Sequence, residues 1–278
     1  MHICRPPRWR EITLVGTATL GKIELYFEQH GEGTPLLLVS GLAGVGAIWR
    51  PNLRAFSRHY QVIVHDHRGT GRSSRPQMRY SVEQMADDLL HLMDHLGLDK
   101  AHLLGHSGGA AIGQTLAVTH PERLRSLILY SGWTRADAYL RRALEIRGTL
   151  LAAAGAAAYV RSGPVFFYPP DWVNRNAELL EQRETDAAAA VGDARVVASR
   201  IDAFIAFDRT SDLGRIPTPT LVICARDDIF TPQCFSDELA RLIPGAEPVK
   251  LDYGGHFASE ANPEAFEAAV LAFLSRHG

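Results

Sequence analysis

One serine, one aspartate and one histidine stand out for their settings. Ser107 lies in Gly105-His106-Ser107-Gly108-Gly109, where an apolar run ends and a helical stretch begins. A strand-to-helix turn sharp enough to lift a hydroxyl above a sheet crowds its neighbours. Glycines two residues either side remove the Cβ atoms that would clash. The hydroxyl then sits at a helix N-terminus, whose free N–H groups favour negative charge. Alone, the pattern is common in Gly- and Ser-bearing loops, and its partners give it weight. A serine nucleophile needs a base, and the base needs an acid to fix its tautomer and stabilise its charged form. Asp228 follows the apolar run Leu221-Val222-Ile223-Cys224-Ala225. His256 follows Val249-Lys250-Leu251, within Tyr253-Gly254-Gly255-His256-Phe257. The chain order Ser, Asp, His is that of the nucleophile-elbow class. Asp227 competes with Asp228 for the acid; the Asp228-x-x-x-Pro232 spacing favours Asp228 and leaves Asp227 as a turn residue. His106, inside the turn, is expected to support packing.

Attack on a carbonyl also needs two aimed N–H donors for the oxyanion. The backbone amide of Gly108, just after the serine, is one. The amide of Leu42, in the loop Ser40-Gly41-Leu42-Ala43-Gly44, is the other expected donor. The spacing Gly41-x-x-Gly44-x-Gly46 is not the dinucleotide fingerprint, and no ribose-binding acid stands at the expected distance, so nucleotide binding is set aside. Asp66-His67-Arg68-Gly69-Thr70-Gly71-Arg72-Ser73 reads as a tight turn held by an Asp–Arg pair, a scaffold without a chemical role.

The elements that must position these residues are legible as an alternation. Ile12 to Thr19 and Ile23 to Glu28 alternate in period two and predict an antiparallel pair joined at Gly21-Lys22, after a loose arm over residues 1–10. Leu36–Val39, Gln61–Val64, Ala101–Leu104, Leu124–Tyr130 and Thr220–Ala225 are continuous apolar runs suited to strands covered on both faces, with Val249–Leu251 the last. Helical periodicity fills the gaps over Ile48–Arg58, Ser81–Leu96, Ser107–Thr119, Pro232–Leu242 and Pro263–Ser275, with Ser81 and Gln84 spaced for a capping box. Such alternation predicts a mostly parallel sheet wrapped by helices. Residues 134–213 break it with no strand run. Helices are expected over Arg135–Leu151, Asp171–Arg183 and Asp193–Phe207, with an aromatic loop Phe166-Phe167-Tyr168-Pro169-Pro170 between. A long insertion after a strand end lies over the face to which the serine points, so a cap is its expected role.

Composition narrows the partners. With 29 Lys and Arg against 31 Asp and Glu, the net charge of −2 offers no basic field for nucleic acid and no polybasic patch for membrane. No run of about 18 consecutive apolar residues suggests a membrane helix. Three cysteines, Cys4, Cys224 and Cys234, show neither disulfide-framework nor zinc-site spacing and suggest a reducing, cytoplasmic setting. No metal and no cofactor is expected, and the partner is a small-molecule substrate; the sequence sets no oligomeric state.

Taken in order, Ser40–Gly44, Asp66-x-Arg68-Gly69-x-Gly71-x-Ser73, Gly105–Gly109, Asp228-x-x-x-Pro232 and Gly255-His256 resemble the α/β-hydrolase superfamily, with Ser40-Gly41 in place of the common His-Gly. A narrower likeness runs through Gly132-Trp133, Arg141-Arg142, Arg147, Phe167-Tyr168-Pro169-x-Asp171-Trp172, Cys224-Ala225-x-Asp227-Asp228 and Tyr253–His256. These are similar to the group assigned as aminoacrylate (or carbamate) hydrolases of the Rut pyrimidine-degradation pathway. The resemblance implies an α/β-hydrolase fold with an eight-stranded sheet, a core of residues 1–133 and 214–278, and an all-helical cap over 134–213 after the sixth strand. It implies hydrolysis of a small ester, lactone, carbamate or amide, with C–C bond hydrolysis or cofactorless haloperoxidase chemistry as the alternative. Trp49, Trp133, Phe166, Phe167, Tyr168 and Trp172 are expected around a compact apolar pocket, at least half of them packing cap against core. Arg141, Arg142 or Arg147 could meet a substrate carboxylate, although helix surface is the expected place for most of them.

Overall fold

The computed structural model describes residues 14–277; the arm expected over 1–10, and Ile12, lie outside the described residues. Strand β1 (Leu14–Leu20) turns over Gly21-Lys22 into β2 (Ile23–His30), which is antiparallel to it and to the strand Gln61–His65. From β3 (Pro35–Val39) onward the pairing is parallel through β4 (Gln61–His65), β5 (Ala101–His106), β6 (Leu124–Tyr130), β7 (Thr220–Ala225) and β8 (Glu247–Leu251). The order across the eight-stranded sheet is β1-β2-β4-β3-β5-β6-β7-β8.

The apolar runs are two-sided because both faces are covered. Leu37, Val39, Leu103, Leu127, Leu129 and Val222 share one buried cluster; Leu36, Leu38, Val62, Val64, Leu104, Ile128 and Ile223 share the other. Alternate residues of one strand thus enter opposite layers. Helix α1 (Arg50–Phe56) follows a short 3₁₀ turn, Gly46–Trp49, and packs on the second layer; α2 (Val82–His95) and α3 (Gly108–Thr119) cover the first. At the start of α2, Ser81 accepts from Gln84 N at 3.1 Å, but the Gln84 side chain turns to Asp88 at 2.5 Å. Only half of the expected capping box forms, because Asp88 also holds Arg68 and attracts the amide.

Between β6 and β7 come α4 (Ala138–Phe167), α5 (Pro170–Arg175), α6 (Ala177–Val191) and α7 (Ala194–Ala206), with no strand among them. An antiparallel bridge between Arg135 and Asp208 closes the base of this insertion. After β7 come α8 (Gln233–Leu242), β8, α9 (Ala258–Ala261) and α10 (Pro263–Leu274). The insertion is segmented differently from the sequence expectation. Helix α4 runs on through the Ala-rich stretch and takes in Phe166 and Phe167, although Gly155, at φ 79°, breaks it into two pieces. Pro164 costs one helical hydrogen bond. Asn176, outside helical geometry at ψ 21°, splits the expected 171–183 helix into α5 and α6. By length and composition alone α4 could cross a bilayer; here it packs on α6 and α7.

Candidate active site

The sharp turn after β5 explains its own glycines. A Cβ on Gly105 would stand 2.2 Å from the Gly109 carbonyl oxygen, and one on Gly109 would stand 2.2 Å from the Val39 carbonyl oxygen. Ser107 between them is held at φ 56°, a conformation that L residues seldom adopt. Its amide donates to Tyr130 O at 2.8 Å, and its carbonyl accepts from Ala110 N at 2.9 Å. The loop after β3 comes down on the same point: Gly41 has room for its neighbour only because it lacks a side chain, a Cβ there lying 3.2 Å from Ser107 Oγ. The amides of Leu42 and Gly108 donate to no acceptor among the described residues. Ser107 is 6% exposed, and its Oγ has no hydrogen-bond partner among the described residues.

The ends of β7 and β8 bring the other two residues together. His256 Nδ1 is 2.9 Å from Asp228 Oδ2 and 3.1 Å from Thr231 Oγ1. The Asp228 carboxylate is itself fixed: Oδ1 accepts from Phe230 N and Thr231 N, both at 2.9 Å, and Oδ2 accepts from Thr231 Oγ1 at 2.8 Å. A carboxylate at Nδ1 selects the tautomer protonated there and leaves Nε2 as the basic nitrogen. Asp227 does more than make a turn. Its two oxygens accept from Gly254 N at 3.2 Å and Gly255 N at 2.9 Å, which pins the loop that carries His256. His106 Nε2 and Tyr130 Oη both donate to the His256 carbonyl at 2.9 Å. Burial holds the His106 imidazole well below its ordinary pKa, so it is neutral there.

Four parallel strands thus deliver their C-terminal ends to one place, as open α/β sheets do. A family model described as the alpha/beta hydrolase fold matches residues 34–263. The chain belongs to the α/β-hydrolase fold family. Among its relatives, the "Putative carbamate hydrolase RutD" of Azorhizobium caulinodans is 42% identical over 253 residues, covering 91% of this chain and 96% of the relative. The protein of the same name from Caulobacter vibrioides is 40% identical, covering 92% and 97%. Among solved structures, the enol-lactonase from Burkholderia xenovorans superposes with a TM-score of 0.86 at 27% identity, over 94% of this chain and all of that one. A meta-cleavage product hydrolase from Pseudomonas fluorescens superposes at 0.79 with 25% identity, over 96% and 99%.

The inserted helices of this hydrolase reach the site at three points. Phe167 stacks on His256, with ring centres 5.5 Å apart and planes at 29°. The backbone there is so close that a Cβ on Gly255 would be 2.7 Å from the Phe167 carbonyl oxygen. Tyr168 stacks between Trp172 and Phe257 and donates to Glu260 at 2.6 Å, while Arg183 pairs with the other oxygen of Glu260. From α7, the Phe204 ring lies against Gly108. Arg200, fully buried, donates to Leu42 O at 3.2 and 3.3 Å, to Arg68 O at 3.0 Å and to His67 Nδ1 at 3.1 Å. Burial lowers its pKa to about 10, which leaves it charged at neutral pH, and burial keeps His67 neutral and able to accept.

Of the expected pocket residues, Phe167 touches His256 directly, and Tyr168 and Trp172 extend that stack outward. Trp133 stands behind Phe204, edge to face at 6.0 Å. Trp49 does not join them. It is buried in the second core layer, edge to face with His106, because the turn Gly46–Trp49 folds it beneath the loop rather than above it. Arg141 and Arg142 are exposed; Arg147 is buried. The 66–73 turn is held by Asp66 and Arg72 at 3.3 Å, while Arg68 pairs with Asp88. Phe204, Phe230, Thr231 and Arg200 went unmarked in the sequence. Periodicity on α7 marks Phe204 only as an inward-facing residue, and nothing local distinguishes Arg200 from a surface arginine. One surface hollow of about 420 Å³, lined by Arg135, Cys234 and Glu238, touches none of the site residues.

Proposed function

We propose that the protein is a serine hydrolase of small acyl compounds, acting through Ser107, His256 and Asp228. The observation that carries this reading is the His256–Asp228 contact of 2.9 Å, together with a serine held at φ 56° in the turn whose preceding residue, His106, packs on the His256 ring at 4.6 Å. In the proposed reaction His256 Nε2 takes the Ser107 proton while Oγ bonds to the carbonyl carbon. The carbonyl oxygen becomes an oxyanion on the amides of Leu42 and Gly108. Collapse of the adduct breaks the bond to the leaving group, which takes the proton from His256. Water then gives its proton to His256 and its oxygen to the acyl carbon, and release of the acid restores Ser107. The helices within 134–213 act as a cap that excludes bulk water, and Phe167 forms one wall of the acyl site. The relatives named as carbamate hydrolases and the enol-lactonase likeness support an ester, lactone, carbamate or amide substrate of small size, aminoacrylate or carbamate included. The likeness to a meta-cleavage product hydrolase supports C–C bond cleavage as the second reading. A cytoplasmic setting suits the exposed free thiol of Cys234.

Ser107→Ala tests the mechanism. Hydrolysis of p-nitrophenyl acetate and labelling by a fluorophosphonate should both be lost, with kcat down by roughly 10³-fold or more; undiminished turnover overturns it. A panel of short esters, lactones, carbamates and aminoacrylate ranks the substrates, and preference for long-chain lipids contradicts the small acyl site.

A further inference from the structure

Two arginines of the inserted helices are buried, and their surroundings differ. Arg200 has a carbonyl or imidazole acceptor for each of its three nitrogens. Arg147, on α4, is 4% exposed and has almost none. One Nη lies 3.4 Å from Ser162 Oγ, and its Nε is buried with no partner. Among the described residues no Asp or Glu forms an ion pair with it. Its guanidinium carbon instead faces aromatic rings, 4.1 Å from the centre of Tyr159, 4.8 Å from Phe167 and 5.8 Å from Phe166.

Ring faces attract a cation, but they accept no in-plane hydrogen bonds and carry no charge to balance it. A guanidinium withdrawn from water without a counter-ion is costly, so a buried one with an orphaned Nε–H is suited to pairing with an anionic group. The same Phe167 ring that packs on Arg147 stacks on His256. The unbalanced charge therefore lies one aromatic ring from the proposed base. We infer that Arg147 is an anion-binding residue of the acyl site and that the substrate is a small acyl compound bearing a carboxylate. The planar fork of the guanidinium suits two-point binding of a carboxylate. Its orphaned Nε–H and the outer Nη hydrogens are the donors, and the aromatic walls dehydrate the pair and strengthen it. Binding the carboxylate end would hold the substrate against Phe167, the ring that also packs on His256. Neutral acyl compounds of the same length would leave the charge unbalanced and bind less well. The assignment rests on the serine-hydrolase reading for the reaction, though not for the binding.

The two are separated by measuring binding and turnover independently. Succinate is titrated calorimetrically into the wild-type protein and into Arg147→Gln. In parallel, kcat/KM is compared for monoethyl succinate and ethyl butyrate, which share chain length and leaving group. Succinate should bind the wild type and bind Arg147→Gln at least tenfold more weakly. The preference for monoethyl succinate over ethyl butyrate should fall at least tenfold in the same variant. Arg147→Lys, which keeps the charge and loses the fork, should fall between, and it carries the test if the glutamine variant melts before assay temperature. Succinate binding that is absent in the wild type, or equal in wild type and variants, overturns the anion site. If that happens while Ser107→Ala still abolishes ethyl butyrate turnover, the serine mechanism stands alone. If succinate binding depends on Arg147 while Ser107 proves dispensable, the anion site stands and the mechanism falls.

Discussion

The two oxygens of Asp228 do different work. Oδ1 is tied to two backbone amides and so fixes the carboxylate, while Oδ2 faces His256. Asp228→Asn keeps the shape but presents either a neutral acceptor or an NH₂ group to Nδ1, which weakens the hold on the tautomer. Its kcat on p-nitrophenyl acetate should fall by roughly 10³- to 10⁴-fold with the fold intact. Asp227→Ala should act more mildly, about tenfold, because it frees the Gly254 and Gly255 amides without touching the imidazole. Equal losses in the two variants would remove the distinction between the two roles. The sequence could favour Asp228 through its spacing to Pro232. It could not show that Asp227 grips the histidine loop, since its partners stand 27 and 28 residues away. His106 is a similar case: its contact with the His256 carbonyl spans 150 residues and has no local signature.

At the level of elements, the loop after β3, the turn after β5 and helix α7 behave as one assembly. The joint is Arg200, which reaches from α7 to the Leu42 carbonyl in the loop whose next amide back is the proposed oxyanion donor. Arg200→Met strands the acceptors Leu42 O, Arg68 O and His67 Nδ1. At about 1 kcal/mol or more for each buried group left unpaired, urea unfolding should report a loss of roughly 3 kcal/mol. Fluorophosphonate labelling of the folded fraction should slow as well; unchanged labelling would show that the loop holds its shape unaided. Gly109→Ala is harsher. A methyl 2.2 Å from a carbonyl oxygen, with backbone on both sides, should leave little folded protein to purify. The strands and the helices that pack on them were legible because two-sided apolar runs and a 3.6-residue period record burial directly. The inserted helices were misdivided because proline and a cluster of aromatics read as loop, whereas Phe166 and Phe167 are helical and gain their stability from rings on other elements.

The whole molecule holds several imidazoles away from water. Burial lowers the pKa of His65 and of His102 to about 4, and pushes His67 and His106 well below 6.5. Below pH 6.5 the unfolded chain takes up protons that the folded chain refuses, so stability falls as pH drops from about 6.5 toward 4. Each such proton is worth about 1.4 kcal/mol per pH unit. Urea midpoints should therefore be level from pH 7 to 8 and decline steeply below 6.5; a flat profile down to pH 5 would show that these rings are wet. The parallel sheet was readable from the chain's alternation, and its match to the α/β-hydrolase family spans residues 34–263. The docking of the insertion onto the sheet was not, because it depends on pairs such as Tyr168–Glu260 and Phe167–His256 that only the closed fold creates. That last contact has a mechanical side. The face of a benzene ring attracts an imidazolium more strongly than a neutral imidazole. The grip between insertion and sheet therefore depends on the charge of His256, tightening when the ring gains a proton and slackening when it gives the proton away.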